Sequence, residues 1–330
     1  RKIVLASGAV STLAGSGTAT FVDGTGTNAS FNYPSGMSMD STGTNLYVAD
    51  QYNHRIRKIV VATGVVTTFA GTGTGSFADG TGTNASFLYP SGVSIDPTGT
   101  NLYAADKNNN RIRKIVIATG VVTTLVGSGT ATFADSTGTN ASFNTPFGVG
   151  IDPTGTNLYV ADQTNNRIRT INIATQLVTT LASNGTATFQ DTVAYDSNST
   201  ARFNTPSSIC YDSSGNAFIT DTKNHNIRKI TPAGVTTVFA GSASRTSGSV
   251  DATGTNATFN TPTAIAIDSS NNLYVADRGN NMIRKITSTG VVTTLAGATT
   301  SGTTDATGTN ARFNNPCGIA VDSSQNLSLI

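Results

Sequence analysis

The side chains of this sequence that could attack a substrate, bind a metal or transfer a proton at neutral pH are few. The 330 residues contain two histidines, His54 and His225, and two cysteines, Cys210 and Cys317. The histidines stand in equivalent turns of two sequence repeats, and no His, Cys and Asp residues have the spacing of a zinc site. Neither histidine is placed to activate a serine or threonine. We therefore expect no catalytic residues, no metal site and no cofactor.

The two cysteines do not form a disulfide framework, because two in 330 residues are too few for one. They also belong to non-adjacent repeats, which argues against a bond between them. We interpret both as free thiols or small buried apolar residues. A disulfide bond between Cys317 and another molecule remains an alternative.

The acidic residues are 18 aspartates, and their positions follow the repeats. One series ends the first predicted strand of each repeat, one ends the second strand and one opens the loop between repeats. The three series are Asp40, Asp96, Asp152, Asp212, Asp268 and Asp322; Asp50, Asp106, Asp162, Asp221 and Asp277; and Asp23, Asp79, Asp135, Asp191, Asp251 and Asp305. Short carboxylates at such places accept backbone N–H bonds, which predicts structural roles. The loop at residues 23–28 has one carboxylate, which favours a turn over a calcium site.

Most basic residues lie in the third predicted strand of each repeat, as Arg55, Arg57 and Lys58 do in the first. Strand alternation predicts that these side chains are partly exposed and pair with nearby aspartates. Lys107, Lys223 and Arg278 lie instead in loops between second and third strands. Those loops share one face of the predicted fold, so the three residues form a candidate basic binding face.

The elements that position these residues belong to a repeat marked by one proline. The prolines are Pro34, Pro90, Pro146, Pro206, Pro262 and Pro316, at intervals of 56, 56, 60, 56 and 54 residues. After Pro34, strand-like runs cover residues 36–40, 45–50, 55–59 and 65–71, with two-residue alternation and β-branched side chains. Six such repeats predict an all-β, six-bladed β-propeller of four-stranded blades.

The two ends of the chain predict how this propeller closes. The last repeat contains only its first two strands, and residues 1–15 match its missing third and fourth strands. We expect one domain over residues 1–330 whose sixth blade is shared between residues 1–20 and 311–330. Residues equivalent to 50–56 are absent at this junction, which indicates a longer native chain.

Three runs identify a family resemblance. Asn-Leu-Tyr-Val-Ala-Asp at residues 45–50, Asn-x-Arg-Ile-Arg-Lys-Ile at 53–59 and Gly-Val-Val-Thr-Thr-Leu-Ala-Gly at 290–297 resemble the NHL repeat, and such runs cover essentially the whole chain. The resemblance implies a propeller and leaves its function open, because NHL-like propellers include bacterial surface proteins, RNA-binding domains, kinase sensor domains and a peptide-amidating lyase. Those lyases use several histidines around a metal, a set that two histidines do not supply.

Charge and aromatic content argue against nucleic acid and membrane partners. The formal net charge is +2 and there is no tryptophan, whereas RNA binding favours a concentrated positive face with stacking aromatics. The phenylalanine that recurs once per repeat is predicted to lie in the core between blades; the series is Phe31, Phe87, Phe143, Phe203, Phe259 and Phe313. The uncharged stretch at 115–134 is rich in Thr and Gly, which favours two strands and a loop over a membrane span.

Six asparagines in Asn-x-Ser/Thr sequences are candidates for N-glycosylation. Asn28, Asn84, Asn140 and Asn256 share one loop sequence, Asn198 stands in the corresponding region of the fourth repeat, and Asn184 lies in a loop unique to that repeat. The alternative is an ordinary turn without a sugar, and attachment requires a secretory origin. A surface without Glu and rich in Thr, Ser, Gly and Asn favours an extracellular or cell-surface location.

These observations favour a non-enzymatic extracellular structural or interaction module, a secreted glycoprotein. Its expected partners are copies of itself, as in a filament or a surface or matrix assembly, or extracellular proteins and glycans. The alternative is a small-ligand or carbohydrate-binding propeller that uses Lys107, Lys223 and Arg278. A metal-dependent lyase or lactonase ranks third.

Overall fold

The protein is an all-β propeller of six blades, as predicted. The structure, a computed structural model, describes residues 1–188, 201–322 and 324–330. Its six antiparallel sheets each contain four main strands, and the first strands of neighbouring blades contact one another in a closed ring. Within the described ranges there is no α-helix, and none of the helical turns is long or apolar enough to cross a membrane.

The first two strands of each blade form its inner half. The first strands are Pro34–Met39, Pro90–Ile95, Pro146–Ile151, Pro206–Tyr211, Pro262–Ile267 and Ile319–Val321. The second strands are Asn45–Asp50, Asn101–Asp106, Asn157–Asp162, Ala217–Asp221, Leu273–Asp277 and Asn326–Leu329. We number the blades 1 to 6 in this order.

The third and fourth strands form the outer half. The third strands are Arg55–Val60, Arg111–Val116, Arg167–Asn172, Asn226–Ile230, Met282–Ile286 and Lys2–Val4. The fourth strands are Val65–Ala70, Val121–Val126, Leu177–Ala182, Thr236–Ala240, Val292–Gly297 and Ala9–Ser11. Short edge strands at Gly24–Thr25, Gly80–Thr81 and Ser136–Thr137 pair with the fourth strands of blades 1, 2 and 3.

Two kinds of 3₁₀ turn recur around the ring. The loops between blades contain Gly26–Asn28, Gly82–Asn84, Gly138–Asn140, Gly254–Asn256 and Gly308–Asn310. The connectors between second and third strands contain Gln51–Asn53, Lys107–Asn109, Thr222–Asn224 and Arg278–Asn280. These connectors all follow the same strand, so they lie on one face of the propeller.

The sixth blade combines strands from both ends of the chain. Lys2 pairs with Ser328 and Ile3 with Leu327, while Lys2 also pairs with Ser11 on its other side. The same sheet includes Ile319–Val321, so its strand order matches that of the other blades. N-terminal strands therefore close the ring and leave no open edge between its first and last repeats.

The hydrophobic core lies between blades rather than inside any one of them. Phe87 packs against Ala49 and Ile56 of the preceding blade, and all three are fully buried. Phe143, Phe203 and Phe259 are also fully buried, Phe313 is 5% exposed and Phe31 is partly buried. The once-per-repeat phenylalanine is thus core, as the sequence predicts.

Candidate functional site

An ion-pair network inside the blades uses one arginine of the third strand in each of blades 1 to 5. In blade 2, Nη1 of Arg113 donates to Oδ2 of Asp106 at 2.7 Å, and neither side chain has any exposed surface. Nη2 of Arg113 donates to Oδ1 of Asp79, in the loop before the blade, at 2.7 Å. The same buried pairs in other blades are Arg57–Asp50, Arg169–Asp162, Arg228–Asp221 and Arg284–Asp277.

The expected exposure of these third-strand arginines is therefore wrong, although their pairing with aspartate is confirmed. Strand alternation exposes a side chain only where one face of a sheet meets water. A propeller blade is covered on both faces, and the guanidinium carbon of Arg113 lies 5.1 Å from the ring centre of buried Phe87. A charge in that position requires ion-pair and hydrogen-bond partners. The two terminal nitrogens of Arg113 have them in Asp106, Asp79 and the carbonyl groups of Ser86 and Ala78.

The buried carboxylates bond within the fold and have no surface exposed to a substrate. Asp106 also accepts the backbone N–H of Leu88 at 2.8 Å and Nδ2 of Asn109 at 2.9 Å. Burial raises the pKa of Asp221 and Asp277 to about 6, against the opposing effect of their arginines. These groups remain mostly ionised at neutral pH, and their role is to hold the connector against the blade.

The aspartates that end the first strands fix the turn that follows. Oδ1 of Asp96 accepts the backbone N–H of Thr100 at 2.8 Å, and its Oδ2 accepts that of Asn101 at 3.1 Å. The side-chain amide of Asn101 donates to the same Oδ2 at 2.8 Å. Such a carboxylate caps a hairpin and agrees with the structural role predicted for the series.

Both histidines are structural acceptors. Nδ1 of His54 accepts the backbone N–H of Tyr89 at 3.1 Å, and Nδ1 of His225 accepts that of Thr261 at 3.0 Å. Each bond joins one blade to the next. Asn110, Asn166 and Asn281 use their side-chain oxygens in the same way in other blades. Among the described residues, no group of three His, Cys or Asp side chains could hold a metal.

A channel of about 330 Å³ runs along the axis and is lined by the first strands. At its mouth, Oγ of Ser207 and Oγ1 of Thr263 donate to carbonyl groups of the following blade, and Sγ of Cys317 donates to the carbonyl of Pro34 at 3.2 Å. These hydroxyl and thiol groups therefore donate to other blades of the propeller. Both cysteines are free, and burial raises the pKa of the Cys317 thiol to about 11 and that of Cys210 further.

The three predicted binding-face residues all lie in connectors on one face, but not at equivalent places. Lys107 and Arg278 begin their turns, whereas Lys223 is the second residue of its turn. Lys107 is half-buried, with Nζ 5.2 Å from the ring centre of Phe147, which lines the channel. Burial lowers the pKa of Lys107, and Arg278 opposes the rise in the pKa of Cys317. Lys107 and Arg278 thus flank the channel mouth, and Lys223 is exposed one position away.

The same face carries an aromatic group that the sequence analysis missed. Tyr33 and Tyr89, which precede the marker prolines of blades 1 and 2, lie on either side of Tyr52. Their ring centres are 4.8 and 5.0 Å from that of Tyr52, and Tyr33 is 67% exposed. The available signal was a break in the repeat, because the residues before the other marker prolines are Thr145, Thr205, Thr261 and Asn315.

The candidate glycosylation sites are away from this aromatic group. Asn28, Asn84, Asn140, Asn184 and Asn256 are exposed, and four of them end 3₁₀ turns in loops between blades. Asn198 lies outside the described residues. Their modification stays a prediction from the sequence.

Family models match most of the chain. The model of the teneurin NHL domain matches residues 67–254, more than half of the sequence, and that of the NHL repeat matches residues 31–59 and 259–286. The chain is 29% identical, over 82% of its length, to the chloroplastic protein SUPPRESSOR OF QUENCHING 1 of Arabidopsis thaliana. It is 35% identical, over 46% of its length, to human NHL repeat-containing protein 2. It covers only 26% and 22% of those two proteins.

Solved structures share the fold at low identity. A Bacteroides thetaiotaomicron protein of unknown function has a TM-score of 0.74 at 21% identity, over 98% of this chain and 76% of that one. An auxiliary nutrient binding protein of the same organism has a TM-score of 0.70 at 19% identity, over 97% and 76%. A streptogramin B lyase has a TM-score of 0.55 at 13% identity, over 90% and 93%.

These comparisons correct the expected location. The extracellular or cell-surface assignment is wrong, because the similar proteins are a chloroplastic protein and NHL repeat-containing protein 2. The inference rested on surface composition, and Thr, Ser, Gly and Asn serve here as turn and strand residues of the propeller. Composition of that kind reports on the fold and not on the compartment.

Proposed function

Because the chain belongs to the NHL-repeat family of β-propellers, which supports a role as a protein-interaction module, we propose that it is a non-enzymatic module that binds a partner protein on its connector face. The connector face is the surface formed by the turns between second and third strands and the channel mouth. The observation that carries this proposal is the location of the residues that do not recur from blade to blade. Side chains that repeat in every blade serve the fold, whereas Lys107, Arg278 and the three tyrosines break the repeat on one face.

The use of the candidate catalytic groups supports a non-enzymatic role. A general base needs a lone pair free to receive a proton from a substrate, and Nδ1 of each histidine already accepts a backbone N–H. The buried aspartates are each paired with an arginine. The likeness to a lyase concerns the fold alone, at 13% identity.

The partner class includes a second copy of this chain. Propeller faces are broad enough for the 800 Å² or so per partner that a stable interface buries. A small ligand in the channel is the second candidate, favoured by the cavity of about 330 Å³ whose lining includes Phe147, the ring beside Lys107. Against it, hydroxyl and thiol donors at the mouth already serve carbonyl groups of the ring.

A site-specific photo-crosslinker tests the face directly. Asn108 is exposed in a connector, and Thr123 is exposed in a fourth strand at the outer edge of the same blade. With benzoylphenylalanine at position 108, we expect protein adducts in material from the natural source, identified by mass spectrometry, or adducts between copies of this chain. At position 123 we expect none. Adducts only at position 123, or a small molecule retained by the native protein without any protein adduct, would contradict the proposal.

A further inference from the structure

The three tyrosines of blades 1 and 2 form the most distinctive group on the connector face. We call Tyr33, Tyr52 and Tyr89 the tyrosine ridge. Tyr33 is 67% exposed and Tyr52 is 49% exposed, which is unusual for large aromatic side chains on a surface where most connector residues are small or polar. The backbone N–H of Tyr52 donates to the carbonyl of Asn32 at 3.1 Å, which fixes its place beside Tyr33.

Folding does not require tyrosine at these positions. Tyr33 and Tyr89 have φ angles of 48° and 53°, a left-handed conformation that side chains larger than Asn rarely adopt. Threonine adopts it at the matching Thr145, Thr205 and Thr261, with φ of 51°, 51° and 47°. The place of Tyr52 is taken by Thr164 in blade 3. The rings therefore add exposed aromatic surface without serving the core.

The arrangement of the rings selects one kind of occupant. Neighbouring rings are inclined by 43° between Tyr33 and Tyr52 and by 73° between Tyr52 and Tyr89, and His54 meets Tyr89 at 71°. A sugar ring or nucleobase stacks best on a flat aromatic face. Inclined rings instead leave grooves between neighbouring rings. Proline residues of a polyproline II segment dock into aromatic-lined grooves of this kind.

The surrounding charge indicates a further property of that segment. The connectors at residues 51–54, 107–110, 163–166, 222–225 and 278–281 contain no acidic residue, and their cations include Lys107, Lys223 and Arg278. The aspartates that precede these connectors are buried against arginine. The connector of blade 2 adjoins the ridge, since Asn108 donates its N–H to the carbonyl of Leu88 at 3.0 Å. Lys107 thus stands one residue from this contact.

We propose that the tyrosine ridge, with Lys107 beside it, binds an extended proline-containing segment that carries carboxylates on a partner protein. This rests on the proposed function and names the chemistry of the partner. Tyrosine suits such a site because it buries a large rigid surface at little cost in side-chain entropy. The rings supply grooves for proline, and the cation of Lys107 supplies the charge complementarity that orients the segment.

Fluorescence anisotropy with labelled peptides tests the proposal on the whole chain. The probe is Glu-Pro-Pro-Glu-Pro-Pro-Glu, compared with versions that have Ala for Pro or Lys for Glu. Tyr33→Thr, Tyr52→Thr and Tyr89→Thr each introduce the residue that blade 3 or 4 has at that position, so the fold is retained. We expect each substitution to weaken binding by at least about fivefold, because truncating a contacting aromatic side chain removes a substantial part of the binding energy of an interface. The Ala and Lys peptides should bind at least about fivefold more weakly than the probe.

One control variant and one charge variant complete the test. Leu177→Thr removes a side chain that is 46% exposed at the start of a fourth strand and should leave binding unchanged. Lys107→Gln introduces the residue of blades 1 and 3 and should weaken binding to the acidic probe only. If the tyrosine variants bind as well as the unaltered chain, the ridge proposal fails. It also fails if the ridge binds a cello-oligosaccharide or a single-stranded RNA and not the peptide.

The test also distinguishes this failure from failure of the proposed function. If the peptide does not bind but protein adducts still form at position 108, the ridge proposal is wrong and the proposal of an interaction face stands. Absence of both would overturn the two proposals together.

Discussion

Tyr89 donates its backbone N–H to Nδ1 of His54 at 3.1 Å, across the boundary between blades 1 and 2. Both residues have left-handed backbone, with φ of 53° and 54°. The bond requires the neutral imidazole with its proton on Nε2, because protonated Nδ1 is a donor and not an acceptor. Blade 4 makes the same bond from His225, whereas Asn side chains make it in blades 2, 3 and 5.

The stability of the boundary between blades 1 and 2, and of that between blades 4 and 5, should therefore depend on pH. Burial, with a contribution from Arg55, lowers the pKa of His54, and burial lowers that of His225. A histidine with a lowered pKa binds its proton better in the unfolded chain, so its contribution is complete above about pH 6.5 and is lost as the pH falls through the folded pKa. The double variant His54→Asn, His225→Asn should lose less stability than the unaltered chain between about pH 7.5 and about pH 5.5.

Thermal unfolding of both proteins at each pH measures this difference. Asparagine is the matched replacement because Asn110 and Asn166 accept the same bond elsewhere in the ring. Every other titrating group is common to the two proteins and cancels in the comparison. Parallel pH profiles would show that the histidines do not control the boundary.

Removal of a buried carboxylate should be the most damaging single change of charge. Asp106→Asn leaves Arg113 without its fully buried partner, and such a loss costs about 3–5 kcal/mol of the free energy of unfolding. Asp79→Asn acts on the same guanidinium from a side chain that is 46% exposed and should cost less than about 1 kcal/mol. Urea denaturation of the two variants provides the measurement. Equal losses would contradict the assignment of the inner pair as the structural one.

The packing of first strands around the channel should not tolerate a methyl group at Gly92. A Cβ there would lie 2.6 Å from the carbonyl oxygen of Phe147 and 2.8 Å from Cα of Gly148, both backbone atoms of the next blade. Gly92→Ala should therefore lower the free energy of unfolding by about 1–3 kcal/mol. The matched change Ala264→Ser, which introduces the residue of blade 4 at this position (Ser208), should cost less. A neutral Gly92→Ala would mean that the ring expands freely.

The thiol at the channel mouth should react slowly. Burial raises the pKa of Cys317 to about 11, so little thiolate is present at neutral pH, and the thiolate is the reactive form. Alkylation by iodoacetamide in the folded protein should be at least about tenfold slower than that of glutathione at about pH 8, and should accelerate as the pH rises. Mass spectrometry of Cys317→Ser assigns the modified residue. Rapid labelling of Cys317 at neutral pH would contradict this environment.

The sequence determined the architecture because the signals for it repeat six times. The marker prolines, the alternating runs and the incomplete last repeat were sufficient to predict six blades and the N-terminal strands that close the ring. The phenylalanine of each repeat was also correctly placed in the core between blades. Repetition averages out the local ambiguity that limits prediction from any single segment.

Only the tertiary structure decided which of the repeated polar residues are buried and which unrepeated ones meet. Arg113 looks exposed from strand alternation, yet neighbouring elements cover both faces of its blade. Tyr33, Tyr52 and Tyr89 are far apart in the sequence and in two repeats, and they become neighbours because the connector of one blade lies beside the proline turn of the next. Contacts between blades depend on how the ring closes, and that geometry is not encoded in the period of any one strand.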